Sequence, residues 1–287
     1  MSTNIKLSHS GHFRLGVARF FIYVVLILLA IVAIIPVWLV FMNATRSTEE
    51  IYASMSFLPS TSLKSNWDFI MSRDVQMWTG YKNSAIVTIS STVLTVYFSM
   101  LTAYAIEVYN FRFKEFFRRF IYILVLIPQS VAIIGFVQFM DKLHMTNTFW
   151  PLIIPAIAAP GSVFFAEQYL KTALVKDLIL SARIDGCGEF GIFHRIMLPM
   201  AKPGIFTLAI FSFVAGWNNF FLPSMILSTT DKYTVPLVVK LLKGDRFRTN
   251  VGAVYVGIVM SVLPVIVVFV LLSKQIVGGL TLGALKE

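Results

Sequence analysis

The chain has 287 residues, 57% of them hydrophobic and only 13% charged, with a mean hydropathy of +0.79. That composition excludes an ordinary soluble domain and indicates an integral membrane protein without a second, soluble domain. The net charge of +10 is scattered at the ends of apolar segments, a distribution that suits anionic lipid and the positive-inside rule and excludes a nucleic-acid partner.

Lys6, Arg14 and Arg19 precede an apolar run from Phe20 to about Met42. It is too long for the core of a cleaved signal and long enough to cross the hydrocarbon layer, so it is read as an uncleaved first span. Asn43 to Gly80 is polar, is interrupted by Pro59 and carries Trp67 and Trp78. This is an expected external segment with short interfacial helices. The second span, about Tyr81 to Glu107, places Thr88, Thr92, Thr95, Ser99 and Thr102 on one face. Such a stripe serves close helix packing in lipid or contact with a hydroxylated solute. Arg112, Lys114, Arg118 and Arg119 mark the cytoplasmic side before a third span, about Phe120 to Met140. After an external turn at Asp141 to Asn147, a fourth span from Phe149 to about Leu170 contains Pro151, Pro155 and Pro160-Gly161. It is expected to be kinked and buried in protein, with Glu167 as an interfacial charge rather than a proton carrier.

Lys176 to Pro203 is a polar interruption. Leu178, Ile179, Ala182 and Arg183 share one side of a short helix, Asp185-Gly186 is a turn signal, and Phe190, Phe193 and Met197 recur at helical spacing beyond it. The expected structure is a helical hairpin, with His194 exposed and Cys187, the single cysteine, as a small reduced filler in the turn. Pro199 and Pro203 lead into a fifth span, about Gly204 to Leu227, whose outer half holds Trp217, Asn218, Asn219 and Phe220. Adjacent amides inside a span face an aqueous path or bind neighbouring helices, and an aromatic beside them is apt for a sugar ring. Ser228 to Asn250 is an external loop with Lys232, Lys240, Lys243, Arg246 and Arg248, and Val251 to about Leu272 is the sixth span before a cytoplasmic tail.

The spacing Ala182, three residues, Gly186, nine residues, Ile196-x-Leu198-Pro199 resembles the loop signature of the permease subunits of binding-protein-dependent ABC importers. Arg183-Ile184-Asp185-Gly186 resembles the carbohydrate branch, the MalG-like permeases, and Tyr81-Lys82-Asn83-Ser84 resembles the opening of the family's permease domain. The similarity covers Tyr81 to Lys274; Leu180-Ser181 stands where the signature has Glu-Ala, and Asn219 where an acidic residue is common. The resemblance implies an all-α polytopic membrane protein, a type I importer permease of six transmembrane helices with a cytoplasmic coupling helix. It divides the chain into residues 1–80 (first span and external segment), 81–274 (permease domain with coupling loop 176–199) and a 275–287 tail. It assigns Leu180, Ser181, Ala182, Asp185, Gly186, Phe190, Phe193, Ile196, Leu198 and Pro199 to the ATPase-coupling loop. Trp217, Asn218, Asn219 and Phe220 become candidates for the substrate path. Implied partners are an ABC ATPase dimer carrying ATP and magnesium, a second homologous permease, an extracytoplasmic solute-binding protein, a carbohydrate and membrane lipid. The implied location is a bacterial or archaeal cell membrane with both chain ends cytoplasmic.

No G-x-x-x-x-G-K-[S/T] loop occurs, and His9, His12, His144 and His194 have no metal-ligand spacing. Catalysis, cofactor binding and metal binding by this chain are therefore not expected. A membrane scaffold or insertase-like interaction protein is the competing reading and a secondary carrier a further one; the loop spacing favours the importer, because fold-level analogy alone would not separate them.

Overall fold

A computed structural model of the chain describes residues 9–72, 76–244 and 249–284. Lys6, Arg246, Arg248 and the last three residues of the expected tail lie outside them. Among the described residues there is no β-strand. They fall into two compact units, one within Met1–Arg73 and Leu242–Val259, the other within Asp74–Leu241 and Met260–Glu287.

The first unit begins with α1, His9–Ala44, which carries Pro36 internally. Phe20 through Val37 are almost continuously exposed, and only at Trp38 does the indole N–H reach the Phe57 carbonyl of the same unit, at 2.9 Å. A helix apolar all round and so exposed belongs in lipid or against another chain. Below it lie α2, Thr48–Ala53, and α3, Leu63–Ser72. Ser47 starts α2 with a capping box: its hydroxyl accepts from the Glu50 amide at 3.3 Å while its own amide donates to Glu50 Oε2 at 2.8 Å. Buried Asn66 donates to the carbonyls of Ala44 and Arg46 at 3.0 and 2.9 Å, tying α3 to the end of α1. Within the expected Asn43 to Gly80 segment, residues 48–72 thus carry two short helices, whereas Met77 to Gly80 already belong to a long one, Met77–Val108.

The second unit is built on α4, Met77–Val108, which packs along α8, Pro160–Ala173, and α12, Lys202–Trp217. The hydroxyl stripe faces this packing. Thr88, Thr95 and Ser99 are buried, Thr95 Oγ1 donates to the Ala156 carbonyl at 3.1 Å, and Thr88 lies against Gly216 of α12. Small residues permit that approach. Gly204 of α12 is needed for the same approach, since a Cβ there would come within 2.5 Å of the Tyr169 ring on α8.

Three expected spans are interrupted. The third comprises α5, Lys114–Leu126, and α6, Gln129–Lys142, bent by 101°. Pro128 supplies no amide and holds Ile127 extended, which stops α5. The helix also starts earlier than expected, so Lys114, Arg118 and Arg119 belong to it. The fourth follows the expected kinks: α7, Trp150–Ile153, a 3-10 turn at Ile154–Ile157, and α8 opening on Pro160. The fifth differs from a continuous Gly204 to Leu227 helix. It stops at Trp217 and resumes as α13, Phe221–Ile226, leaving Asn219 and Phe220 outside helix. Beyond it, the supposed loop contains an apolar helix, α14, Val235–Leu241, with Val235, Leu237 and Val238 buried. The last helix, α15, is Val251–Ala284. Among the described residues four helices are long and apolar enough to cross a membrane, and the count rises to six if each of two bent pairs is one span.

Candidate functional site

The hairpin expected at Lys176 to Pro203 forms. Its first arm is α9, Lys176–Ile184, and its second runs through α10, Glu189–Ile192, a π-helical turn at Phe193–Met197 and α11, Leu198–Met200. The chain then bends by 80° into α12. The turn is a Schellman closure: the Gly186 amide donates to the Arg183 carbonyl at 3.0 Å and the Cys187 amide to the Ala182 carbonyl at 2.9 Å. Gly186 has φ +78°, the left-handed region that only glycine enters without cost, and no atom lies within 4 Å of where its Cβ would be. Across the turn, the Arg183 guanidinium grips Glu189 through Nε at 2.6 Å and Nη2 at 3.2 Å. The Tyr109 hydroxyl, from the end of α4, donates to the same carboxylate at 2.5 Å. Arg183 first and Tyr109 second hold the Glu189 carboxyl below its ordinary range. The arms are thus cross-linked to each other and to α4.

The residues assigned to this loop divide into two sets. Ala182 and Phe193 are buried with Ile179, Ile192 and Met197 against Met100, Ala103 and Tyr104 of α4 and Ala166 and Leu170 of α8; Ile196 and Leu198 pack on the same cluster. Leu180, Ser181, Asp185, Gly186, Phe190 and Pro199 are exposed. Phe193, assigned with Phe190 to the ATPase-coupling loop, is 2% accessible, against 74% for Phe190. The physical reason is that helical spacing puts the two residues three apart on adjoining faces, and the core takes one of them. Burying that ring is worth about 2–3 kcal/mol and fastens the arm. His194 is not exposed as expected: it is half-buried, its Nδ1 lies 2.9 Å from the Phe190 carbonyl, and its ring is 3.9 Å from the Phe190 ring. Ile184, 86% exposed, was missed. Its spacing of four from Leu180 was the available signal.

At the other end of α12 the candidate path residues separate as well. Trp217 is 3% accessible, stacks on Phe213 at 5.6 Å and donates its indole N–H to the Ser261 carbonyl of α15 at 2.8 Å. It is a packing residue, contrary to the path role expected of it. Asn218, Asn219 and Phe220 are exposed at the helix break, and the Lys240 ammonium lies 5.4 Å over the Phe220 ring. No side-chain hydrogen bond engages either asparagine among the described residues, so the break presents free amides beside an aromatic and a cation. Nearby, the Asp141 to Asn147 turn is fixed to the segment after α13: Asn147 Oδ1 accepts from the Ser228 amide at 3.1 Å, and Lys232 donates to the Asn147 carbonyl at 2.7 Å.

Residues 96–276 match the family described as binding-protein-dependent transport system inner membrane component. The chain belongs to that family. This permease is 34% identical over 90% of its length to the arabinooligosaccharides transport system permease protein AraQ of Halalkalibacterium halodurans, covering 93% of that protein. It is 30% identical to the diacetylchitobiose uptake system permease protein NgcG of Streptomyces coelicolor, over 92% of this chain and 88% of that one. It is also 27% identical to the sn-glycerol-3-phosphate transport system permease protein UgpE of Escherichia coli, over 91% and 95%. Its fold resembles a chain in the crystal structure of a bacterial ABC transporter involved in the import of the acidic polysaccharide alginate, with a TM-score of 0.77, 22% identity and coverage of 93% and 98%.

One cluster in the permease corrects the sequence reading. Glu167, expected at an interface, is 1% accessible. It receives Arg118 Nε at 2.7 Å, Lys171 at 3.1 Å and the Tyr122 hydroxyl at 3.0 Å. Arg118 also pairs with Glu107 at 3.2 Å and with Glu115 one turn away. A buried carboxylate persists only when paired and hydrogen-bonded. The basic cluster therefore does more than mark a membrane side, because its Arg118 ties together the end of α4, the start of α5 and α8.

Proposed function

We propose that this permease imports a carbohydrate, with the hairpin as the contact through which a separate ATPase drives it. The observation that carries the reading is the division of the hairpin into a locked inner face and a bare apolar tip. Leu180, Ile184 and Phe190 stand exposed on arms whose opposite sides are embedded in the α4–α8 core. Exposed apolar residues on a rigid support mark a docking surface. A displacement at the tip is carried through Ile192, Phe193 and Met197 into α4 and α8, because close-packed interiors shift as units. In this reading ATP and magnesium sit on an ATPase dimer, this chain binds no cofactor and hydrolyses nothing, and a second permease completes the path. The hairpin and both chain ends are cytoplasmic, and residues 1–80, 81–274 and 275–287 are the leading segment, permease domain and tail. The arabino-oligosaccharide and diacetylchitobiose relatives support a sugar as solute, and the free amides of Asn218 and Asn219 beside Phe220 are suited to hydroxyls and a ring face.

The test uses the reconstituted importer with its ATPase, second permease and binding protein. Leu180→Asp with Ile184→Asp is expected to abolish ATPase co-purification at unchanged permease yield. Asn218→Leu with Asn219→Leu is expected to preserve assembly and cut uptake of arabino- or chito-oligosaccharide by about tenfold or more, the loss of two buried-ligand hydrogen bonds. Retained ATPase binding in the first variant sinks the docking face. Unaltered uptake in the second returns the asparagines to helix packing.

A further inference from the structure

Beside the first arm of the hairpin lies a cavity of about 200 Å³ lined by Glu107, Asn110, Lys114, Lys176, Leu180 and Arg183 among others, Leu180 bordering both it and the docking face. Its charges do not balance internally. Glu107 is engaged by Arg118 at 3.2 Å and Arg183 by Glu189 at 2.6 Å. Lys114 and Lys176 have no carboxylate partner among the described residues, although Lys114 is half-buried. The cavity is therefore a net cationic recess with an apolar wall at Leu180, which calls for an anion from outside the chain.

Depth decides what that anion is. Glu107 and Val108 close the candidate span Met77–Val108, and Lys114 opens the next apolar helix, so the cavity lies at the level where spans meet water. No described residue of α5 is buried, and Phe113, Phe116, Phe117 and Phe120 are exposed next to Arg112, Lys114 and Arg119. Aromatic and basic residues interleaved in this way are the pattern of a segment seated among lipid headgroups. A second, apolar cavity of about 330 Å³ lies between α4 and α5, walled by Leu101, Phe111 and Phe117, and offers room for an acyl chain. Ile184 and Phe190, the most exposed apolar residues of the hairpin, do not line this recess.

We infer that the recess lined by Lys114 and Lys176 binds the phosphate of an anionic phospholipid headgroup and thereby links lipid composition to the position of the hairpin. The phosphodiester supplies the missing negative charge, Lys114 and Lys176 hold it, and Asn110 is within the same lining to donate an amide hydrogen. With the site filled, the root of α9 is anchored to the end of α4 and the start of α5. With zwitterionic lipid alone, that anchor is weaker. The inference rests on α4 and α5 being membrane helices and does not depend on which solute is carried.

The experiment has a readout separate from transport. The full complex is placed in nanodiscs of dioleoylphosphatidylcholine with or without dioleoylphosphatidylglycerol, and lipid retention after detergent extraction is measured by native mass spectrometry. The wild type is expected to retain phosphatidylglycerol. Lys114→Gln with Lys176→Gln should weaken that binding by roughly fivefold for each lysine, about thirtyfold for the pair, and flatten the phosphatidylglycerol dependence of binding-protein-stimulated ATP hydrolysis. Lys114→Arg with Lys176→Arg should keep both, which separates charge from folding, and Lys82→Gln at the opposite end of α4 should change neither. Equal retention by the wild type and the glutamine variant overturns the site. Restoration of hydrolysis by inorganic phosphate in phosphatidylcholine discs assigns the recess to free phosphate and overturns the lipid. Loss of ATPase co-purification in lipid-free detergent, with lipid retention unchanged, assigns it to a protein carboxylate and overturns it likewise.

Discussion

At the scale of single residues, Gly186 and the pair Phe190 and Phe193 do most to define the hairpin. Gly186 reverses the chain at φ +78° with open space around its missing side chain. A substitution there is opposed by backbone conformation and not by a clash, so the identity of the replacement discriminates. Valine at a left-handed position costs about 1–2 kcal/mol or more, whereas asparagine visits that region readily. Gly186→Val is expected to lower uptake several-fold more than it lowers assembly with the ATPase, and Gly186→Asn to retain most of both. Equal uptake by the two variants would show that the turn geometry is not transmitted. The phenylalanines make the complementary point. Phe193 in the core fixes the arm, and Phe190 outside remains available to a partner.

At the scale of elements, the membrane helices are held by ion pairs as well as by packing. Arg118 on α5 reaches Glu107 at the end of α4 and Glu167 on α8, while Lys171 reaches Glu167 from its own helix one turn away. Removing one member of a buried set leaves its partners uncompensated. Glu167→Leu is accordingly expected to destabilise the detergent-purified permease by about 3 kcal/mol, seen as a clear fall in its melting temperature. Glu115→Gln removes a pair whose carboxylate is 62% exposed and should shift melting little. Matching melting curves for the two variants would mean that the cluster does not support the α5–α8 contact. The helix breaks have equally local causes. Pro128 ends α5, Pro160 opens α8, and the fifth apolar segment stops at Trp217, where the Asn218 amide turns back to the Val214 and Gly216 carbonyls.

At the scale of the whole molecule, the main statement is topological. The positions of the basic residues and the hairpin both require Cys187 to face the cytoplasm in the proposed orientation. Cys187 is half-buried beside Gly191, so a small membrane-impermeant maleimide is needed. It is expected to modify Cys187 in inverted vesicles stripped of ATPase and not in intact cells. Modification from outside intact cells would invert the assignment of sides. The exposed length of α1 is the other whole-molecule feature: Phe20 through Val37 is almost continuously exposed, a surface for lipid or a second permease.

The sequence by itself determined the class, the apolar segments and the hairpin, because those depend on composition and on local periodicity: an apolar run of sufficient length favours helix in lipid, and Asp185-Gly186 between two helical patterns is a local reversal signal, whereas the breaks within the third and fifth segments were not anticipated. Tertiary structure alone decided which residues of those elements are free. Trp217 and Asn218 are adjacent in the chain, yet the indole is sealed against α15 and the amide is exposed. Phe190 and Phe193 look alike in the pattern, yet one is bare and the other is in the core. Glu167 looked like an interfacial charge until Arg118, 49 positions earlier, was found 2.7 Å from it. Lys114 and Lys176, far apart in sequence, came to line one cavity. Periodicity reports the face a residue occupies on its own helix, whereas burial and ion pairing depend on which other helix meets that face, and that information is carried by long-range packing and not by any local window.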